Sequence, residues 1–450
     1  MRTFAAAGTL DVSRCNHAAG NSACGLSNGG KSLKPLFDVH QITAIVMTGA
    51  CVAALALGAV RADAAGVITV SHRLPPVYAH YMPWFQANPT AHSWGWHWTM
   101  NHYNPSVMDH GMPQIASHYH PQIGPYDSAD TDVLKYQIML MKMTGIQGVI
   151  FDWYGNDRLF DSMNINQNVE RMVPLLERAG LKFALSYEDH TVPQEIKAGI
   201  IPAGGAVHHG QQLMLWLQSH YFNSPAYIRI SGRPLLLTFG QPYYNNAQWT
   251  EIFSVLHRPP VYITESFRRE ATASMGGFDW PIPAGGTTAG LNEQVTFLKA
   301  AHRWPVFIAA AFPGFNDIYA QAGVGHSWGH IAEDNGRTLA TTLSRALRSG
   351  AAAVQLVTWN DWGEGTQIEP SIENGTRDLQ IIRKALGAGN PVLARWSTAD
   401  LQLPAKWLLL RKKLKAGSGR YQAVGKFYDM VLAAHVKQAR ALLLRFSPVR

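Results

Sequence analysis

The sequence predicts a (β/α)8 TIM barrel, an α/β fold, followed by a small C-terminal helical appendage. Short apolar runs alternate with longer amphipathic ones from Val77 onward, and eight such runs fall within about 300 residues. No glycine-rich phosphate loop follows the first run, whereas a doubly wound open sheet would favour one. With 450 residues, 47% of them hydrophobic, the chain is long enough to bury a large core.

The strand candidates are short apolar runs bounded by turn residues, and the sixth is the weakest of them. They are Val77–Met82, Gly148–Asp152, Lys182–Tyr187, Pro234–Phe239, Val261–Thr264, Gly277–Trp280, Pro305–Ala310 and Ala352–Trp359.

The helix candidates carry apolar residues at a spacing of about 3.6. They are Thr131–Thr144, Asn164–Ala179, Gly210–Phe222, Ala247–Leu256, Leu291–Arg303, Asn335–Ser349 and Arg377–Leu386. Asn164 or Asn166 is expected to cap the second helix, and Gly180 to end it. Beyond Pro391, Pro404–Lys415 and Gly425–Leu444 predict two further helices, joined by Ala416–Arg420.

These patterns divide the chain into a leader (residues 1–66), a barrel (67–392) and a basic helical C-terminal region (393–450). In the leader, the apolar run Ile42–Val60 precedes small residues at Ala62–Ala65, as in a secretory signal with its cleavage site. The alternative is an uncleaved membrane anchor formed by residues 42–60. We therefore expect a secreted or periplasmic protein, or one anchored through this segment.

The formal charge of +8 is concentrated at the C-terminus. From Trp396 onward, eleven Lys/Arg residues stand against two acidic ones, so the rest of the chain carries −1. The near-neutral body argues against nucleic-acid binding, while association with a membrane or cell surface through the leader or the basic tail stays open. Cys15, Cys24 and Cys51 all precede residue 66, so the barrel has neither a disulfide nor a cysteine metal site.

The run Val357–Pro370 contains three carboxylates, two tryptophans and two glycines directly after the last predicted strand. Gly363 and Gly365 favour a loop, because glycine is costly inside a helix. Two carboxylates three residues apart, Asp361 and Glu364, are able to reach one small volume. Such a pair suits acid/base chemistry on a sugar, and Glu369 is interpreted as a structural partner of the loop.

The C-terminal ends of barrel strands face the active site, and here they supply aromatic and acidic side chains. Asp361 and Glu364 are the catalytic candidates. The candidates for substrate binding are Tyr81, Trp84, Trp98, Asp152, Trp153, Tyr154, Glu188, Trp280, Trp359, Asn360 and Trp362. Glu188 has a second interpretation, as the ion-pair partner of His190, and Asp152 as a buried support of its strand.

Six histidines fall in the loop Ala87–Asp130, and this density raises the question of a metal site. None of them shows the spacing of two ligands on one helix, so the favoured interpretation is an aromatic-rich loop that folds over the cleft. Within it, Trp94–Trp98 resembles a wall on which sugars stack. We expect no metal and no cofactor.

Four segments in this order resemble glycoside hydrolase families 71 and 99, over roughly residues 75–390: Tyr81–Trp84, Phe151–Gly155, Leu181–Glu188 and Trp359–Pro370. The resemblance implies a barrel enzyme that cuts α-mannosyl linkages or α-1,3-glucan. The corresponding family 99 motif begins Asn-Glu-Trp-His-Glu-Gly. Its first Glu is taken as the base on the substrate's 2-hydroxyl, and its second as the acid on the leaving oxygen.

Carried over, the resemblance gives Asp361 the first role and Glu364 the second. The sequence departs from the motif at Asp361, which is one methylene shorter than Glu, and at Gly363, which replaces His. The shorter side chain leaves open a family 71-like route in which Asp361 contacts the anomeric carbon or a water. The expected function is therefore endo-acting hydrolysis of an α-mannan or α-glucan, with an oligo- or polysaccharide as the bound partner. The alternative is a non-catalytic carbohydrate-binding or polysaccharide-assembly protein on an inactive barrel.

Overall fold

The computed structural model describes residues 74–446 except for 89, 241 and 266–272. Eight parallel strands form the barrel: β1 (Val77–Tyr81), β2 (Gly148–Trp153), β3 (Lys182–Tyr187), β4 (Arg233–Thr238), β5 (Val261–Glu265), β6 (Gly276–Phe278), β7 (Val306–Ala311) and β8 (Ala353–Leu356). Each strand pairs with its neighbours in sequence, β8 pairs with β1, and the cylinder is closed. The predicted (β/α)8 fold is confirmed.

Buried residues fill almost every position of these strands. Continuous apolar runs are expected where helices cover one face of a parallel sheet and side chains fill the interior of the barrel. The register places the small Ala79 between two larger side chains, Leu356 on β8 and Val149 on β2.

The sixth strand, whose prediction was the weakest, has only three residues and begins with two glycines. A Cβ atom on Gly276 would lie 1.6 Å from the carbonyl oxygen of Val306, and one on Gly277 would lie 2.8 Å from the Trp304 ring. Close approach of β7 therefore requires glycine here. This requirement explains why the strand lacks the usual β-branched signature.

The barrel helices are α1 (Thr131–Thr144), α2 (Ser162–Ala179), α3 (Ala206–Leu217), α4 (Asn246–Phe253), α5 (Gly286–Ala301), α6 (Arg337–Leu347) and α7 (Arg377–Leu386). Gly180 ends α2 in the left-handed conformation, as predicted. The predicted cap of α2 is wrong, because the helix begins at Ser162 and Asn166 lies inside it. There the side chain of Asn166 accepts a hydrogen bond from Trp153 Nε1 at 3.0 Å.

Short elements connect these units. They are the one-turn helices Trp96–Thr99 and Val192–Lys197, a π-helical turn at Gln218–Phe222, the 3-10 helices Asp189–Thr191, Asp334–Gly336, Leu393–Arg395 and Thr398–Gln402, and the two-residue strands Met108–Asp109, Met112–Pro113, Arg229–Ile230, Phe315–Asn316 and His330–Ile331. The π-helical turn explains why the predicted helix Gly210–Phe222 extends past the end of α3.

In the described part of the chain, three α-helices, not two, follow the barrel: α8 (Leu403–Lys413), α9 (Gly419–Leu432) and α10 (Val436–Phe446). The single predicted helix Gly425–Leu444 is wrong because Ala434 has a φ of 53°, which breaks the helical path. Ser418 caps α9 by accepting a hydrogen bond from the Tyr421 amide. Trp407, Phe427 and other apolar side chains of these helices join the main hydrophobic core, so the appendage packs on the outside of α1.

The leader (residues 1–66) lies outside the described residues, so export through residues 42–60 remains a prediction. Among the described residues, no helix combines the length and the apolar character that a membrane-spanning segment needs.

A buried ion pair fastens the appendage to the barrel. The guanidinium of Arg411 in α8 donates to both carboxylate oxygens of Asp132 in α1, at 2.8 and 3.0 Å, and to the Tyr421 carbonyl at 2.7 Å. Replacing Arg411 with alanine leaves Asp132 buried without its counter-charge.

We expect Arg411→Ala to lower the free energy of unfolding by about 3–5 kcal/mol. Lys413→Ala, in the same helix but exposed, is the matched control and should change it by less than about 0.5 kcal/mol. Equilibrium denaturation by urea checks both values. Equal, small effects of the two substitutions would mean that the pair does not hold the appendage.

Candidate active site

The loop after β8 is folded tightly by its own side chains and by one glycine. The Asp361 amide donates to Thr358 Oγ1 at 2.7 Å, and Asp361 Oδ1 accepts from the Glu364 amide at 3.0 Å. Gly365 has a φ of 65°, and a Cβ atom there would lie 2.6 Å from the Asn316 carbonyl oxygen. These contacts hold the Asp361 carboxylate and the backbone of Glu364 in place.

The loop after β7 is joined to this segment. The Asn316 amide donates to the Glu364 carbonyl at 2.8 Å, and the Ile318 amide donates to the Gly363 carbonyl at 3.0 Å. Tyr319 follows directly, and its hydroxyl lies 3.5 Å from Glu364 Oε1. The second oxygen of Glu364, Oε2, is buried and has no hydrogen-bond partner among the described residues.

A cavity of ≈170 Å³ opens at the C-terminal ends of the strands. Seven of the thirteen predicted site residues line it: Asp361, Glu364, Trp84, Asp152, Tyr154, Glu188 and Trp280. They come from the ends of β1, β2, β3, β6 and β8, so the strand-end rule brings together residues up to 280 positions apart.

The other six predicted residues are buried and do not line the cavity. Tyr81, Trp98, Trp153, Trp359, Asn360 and Trp362 are all at most 1% exposed. Most of them have internal partners: Tyr81 donates to Gln137, Trp98 to the Tyr126 carbonyl and Trp153 to Asn166. Their predicted contact with substrate is therefore not supported by their positions.

A polar network explains why Asn360 and Trp362 point away from the cavity. Asn360 exchanges hydrogen bonds with the backbone of Met82, at 2.8 and 3.0 Å, and donates to the Tyr126 hydroxyl. Trp362 Nε1 also contacts that hydroxyl, which in turn donates to Glu369 at 2.7 Å. Glu369 thus acts as the structural partner that the sequence indicated.

Sequence reasoning missed other lining residues, which come mostly from the loops: Met82, Phe85, Trp96, His97, Met100, Phe239, Tyr319 and Gly363. In the tryptophan-rich run, Trp96 lines the cavity and Trp98 packs inward, because the two lie on different sides of the one-turn helix Trp96–Thr99. Phe239 directly follows β4, so the strand-end rule was sufficient to find it.

Trp84 forms one wall of the cavity and is held in a fixed orientation. The His97 ring stacks on it with centroids 4.1 Å apart and 7° between the planes. His97 Nε2 lies 3.1 Å from Asp161 Oδ2. An aromatic face held this way is suited to pack against an apolar ligand face.

The two catalytic candidates have different protonation states. Burial raises the pKa of Glu364 well above its usual range, and the Asp361 and Asp317 carboxylates add to the rise. Burial raises the pKa of Asp361 only to about 6, because the amides of Glu364 and Gly363 and the nearby His97 oppose it. Near neutral pH, Asp361 is therefore an anion beside a protonated Glu364, a division of roles typical of paired acid/base carboxyls.

A second pair of carboxyls lies on the opposite side of the cavity. Burial is the main cause that raises the pKa of Glu188 to about 8. Burial also raises the pKa of Asp152 well above its usual range, and repulsion from the Glu188 carboxylate adds to that rise. His190 Nδ1 lies 3.1 Å from Glu188 Oε2, so the predicted ion-pair contact is present. Protonated carboxyls on this side are able to donate hydrogen bonds to a ligand.

None of the described residues that line the cavity is a lysine or an arginine. Carboxyls, aromatic rings, two methionines, one glycine and one imidazole form its surface, so a phosphate or carboxylate group would find no strong counter-charge there. The lining suits a neutral, hydroxyl-rich ligand with apolar faces. A group able to hold a metal ion, Asp157, Glu195 and His209, lies outside the cavity.

The sequence and the fold were compared with those of known proteins. No family model matches the chain. It is 24% identical over 320 residues to a glycoprotein endo-α-1,2-mannosidase-like protein of Mus musculus, with 64% of this chain and 66% of that protein covered. It is 22% identical over 342 residues to a glycoprotein endo-α-1,2-mannosidase of Mus musculus, with 67% and 70% covered. The chain spans just under two thirds of the first of these relatives.

Among solved structures, the family 99 endo-α-mannosidase of Bacteroides thetaiotaomicron aligns with a TM-score of 0.54 and 19% identity. The alignment covers 71% of this chain and 98% of that one, so the two share the barrel fold. This chain is similar to glycoside hydrolase family 99. The comparisons give no specific support to the family 71 half of the predicted resemblance.

The family 99-like motif differs at two positions whose surroundings the structure shows. Asp361 lies in the cavity despite its shorter side chain. At Gly363, where the family 99 motif has His, a Cβ atom would lie 3.0 Å from the Met100 methyl. The side chain of Met100 therefore occupies the space beside the loop that a larger residue would need.

Proposed function

We propose that this chain is an endo-acting glycoside hydrolase that cleaves α-mannosyl linkages. The observation that carries the proposal is the pairing of anionic Asp361 with protonated Glu364 in one cavity. The aromatic wall of Trp84, the absence of basic residues among the described lining, and the similarity to endo-α-1,2-mannosidases support the substrate class.

In the first step, the Asp361 carboxylate removes the proton from the 2-hydroxyl of the bound sugar. The freed O2 attacks the anomeric carbon and the bond from that carbon to the leaving oxygen breaks. Glu364 transfers its proton to the leaving oxygen, so a neutral alcohol departs. The product is a 1,2-anhydro sugar, as the resemblance to family 99 implies.

In the second step, Glu364, now a carboxylate, removes a proton from water. The water oxygen attacks the anomeric carbon and opens the three-membered ring, while Asp361 returns its proton to O2. Both carboxyls regain their starting protonation states, and the stereochemistry at the anomeric carbon is retained. The unpartnered Glu364 Oε2 is a free position for the leaving oxygen or the water.

The pH dependence of kcat/KM follows from these roles. Asp361 must be deprotonated, so we expect activity to fall as the pH drops through about 6. Glu364 must be protonated, so activity should also fall at alkaline pH, through a pKa raised well above the usual carboxyl range. Initial rates measured from pH 4 to pH 10 check both limbs, at about half-unit steps. A profile that stays flat down to pH 4 would contradict the assignment of Asp361.

The substrate class is tested by measuring the new reducing ends that the protein generates from a panel of polysaccharides. The panel contains α-1,2-, α-1,3- and α-1,6-linked mannans and α-1,3-glucan. We expect release from an α-mannan and none from the glucan. Release from α-1,3-glucan alone would overturn the mannoside assignment. Binding of a mannan without release would favour the inactive, carbohydrate-binding alternative.

A further inference from the structure

Three potential metal ligands from separate segments meet outside the cavity. Asp157 lies in the loop after β2, Glu195 in the one-turn helix Val192–Lys197, and His209 in α3. One donor atom from each lies within 4.8 Å of the others, and His209 Nε2 is 2.8 Å from Asp157 Oδ2. These are the side chains that the described part of the chain brings to a metal-ligand spacing.

The buried carboxylate of Glu195 gives independent evidence that a cation belongs there. Glu195 is 1% exposed, and its Oε2 atom is buried without any hydrogen-bond partner among the described residues. A buried acceptor with no donor is costly, and a cation at this point removes that cost.

We propose that Asp157, Glu195 and His209 bind a divalent transition-metal ion, with Zn²⁺ the best fit. An imidazole nitrogen with two carboxylate oxygens matches the ligands that Zn²⁺ takes, whereas Ca²⁺ takes oxygen ligands. Ligand atoms about 2.1 Å from a tetrahedral ion lie about 3.4 Å apart. The widest separation must therefore close by no more than about 1.4 Å, and the 2.8 Å contact between His209 Nε2 and Asp157 Oδ2 must open by about 0.6 Å.

A fourth coordination position would be open to solvent. Asp157 and His209 line an open pocket of ≈520 Å³, together with Asn156, Gln212 and Ser219. A water molecule from this pocket is able to complete the coordination. The ion would link the segments after β2 and β3, which also carry Tyr154 and Glu188 of the cavity, so we infer a stabilising role. This proposal does not depend on the proposed function.

The Zn²⁺ content of the full, tag-free chain tests the proposal. It is measured after the protein has been equilibrated with Zn²⁺ and desalted. We expect each of the variants Glu195→Gln, His209→Gln and Asp157→Asn to retain one Zn²⁺ per chain fewer than the wild type. The neighbouring exposed histidine supplies the matched control, and His208→Gln should retain as much as the wild type. Comparing each variant with the wild type cancels any ion bound by the leader cysteines. Added Zn²⁺ should raise the Tm of the wild type and of His208→Gln only.

Melting curves in EDTA show whether each variant folds. Asp157→Asn is the mildest change, because the Asp157 side chain is 21% exposed, so it keeps the test informative if the others unfold. Equal Zn²⁺ content in the wild type and in a folded ligand variant would overturn the proposal. So would a loss in His208→Gln equal to that in His209→Gln. Retention of Ca²⁺ in preference to Zn²⁺ would overturn the assignment to a transition metal.

Discussion

Replacing Glu364 with glutamine should lower kcat on an α-mannan by about 10²–10⁴-fold. Glutamine has nearly the same shape as the protonated acid but is unable to transfer a proton to the leaving oxygen. Because burial already keeps Glu364 neutral, the substitution removes no charge from the cavity. The free energy of unfolding should therefore stay close to that of the wild type.

Leaving-group dependence separates an acid from a residue that only binds. An aryl α-mannoside with a strongly acidic phenol needs little protonation, so Glu364→Gln should slow its first step much less than it slows mannan cleavage. The matched control is Glu373→Gln, which makes the same chemical change in a residue paired with His120 outside the cavity. Equal losses on both substrates would mean that Glu364 is not the acid of the first step.

Replacing Asp361 with asparagine should also lower kcat by about 10²–10⁴-fold, because the amide is unable to remove a proton from the 2-hydroxyl. The asparagine oxygen is still able to accept the hydrogen bond from the Glu364 amide, so the loop should keep its conformation. Stability should be unchanged or slightly higher, since a buried charge is removed.

Two further measurements distinguish Asp361 from Glu364. An acidic aryl leaving group should not rescue Asp361→Asn, because the missing base acts on the 2-hydroxyl. The residual activity of this variant should also lose the acidic limb near pH 6. Rescue by the aryl substrate together with an unchanged pH profile would show that Asp361 is not the base.

The barrel was predictable because most of its strands are largely apolar runs, which local composition is enough to find, whereas the glycine-rich β6 was the weakest prediction. The same logic located Asp152 near the end of β2, Glu188 directly after β3, and Asp361 in the loop after β8. By contrast, the break between α9 and α10 depends on Ala434 in a left-handed conformation, a position with no glycine or proline to mark it.

The orientation of the tryptophans was not predictable from local sequence. Trp98 and Trp362 are buried because they meet a carbonyl and a hydroxyl of Tyr126, which lies 28 and 236 residues away. Only the tertiary structure brings these partners together. From the sequence alone, an aromatic residue near a catalytic motif is equally compatible with packing in the core and with binding a substrate. The group of Asp157, Glu195 and His209 was missed for the same reason, since three separate segments supply it.

Asp361 and Glu364 are proposed to hydrolyse internal α-mannosyl bonds together. The most direct measurement is the size distribution of products from an α-1,2-linked mannan over time, with the wild type and the Asp361→Asn/Glu364→Gln double variant. We predict that the wild type rapidly shortens the chains to a mixture of oligosaccharides, while the folded double variant leaves them intact. Equal shortening by both proteins, or release of single mannose units alone by the wild type, would contradict the account.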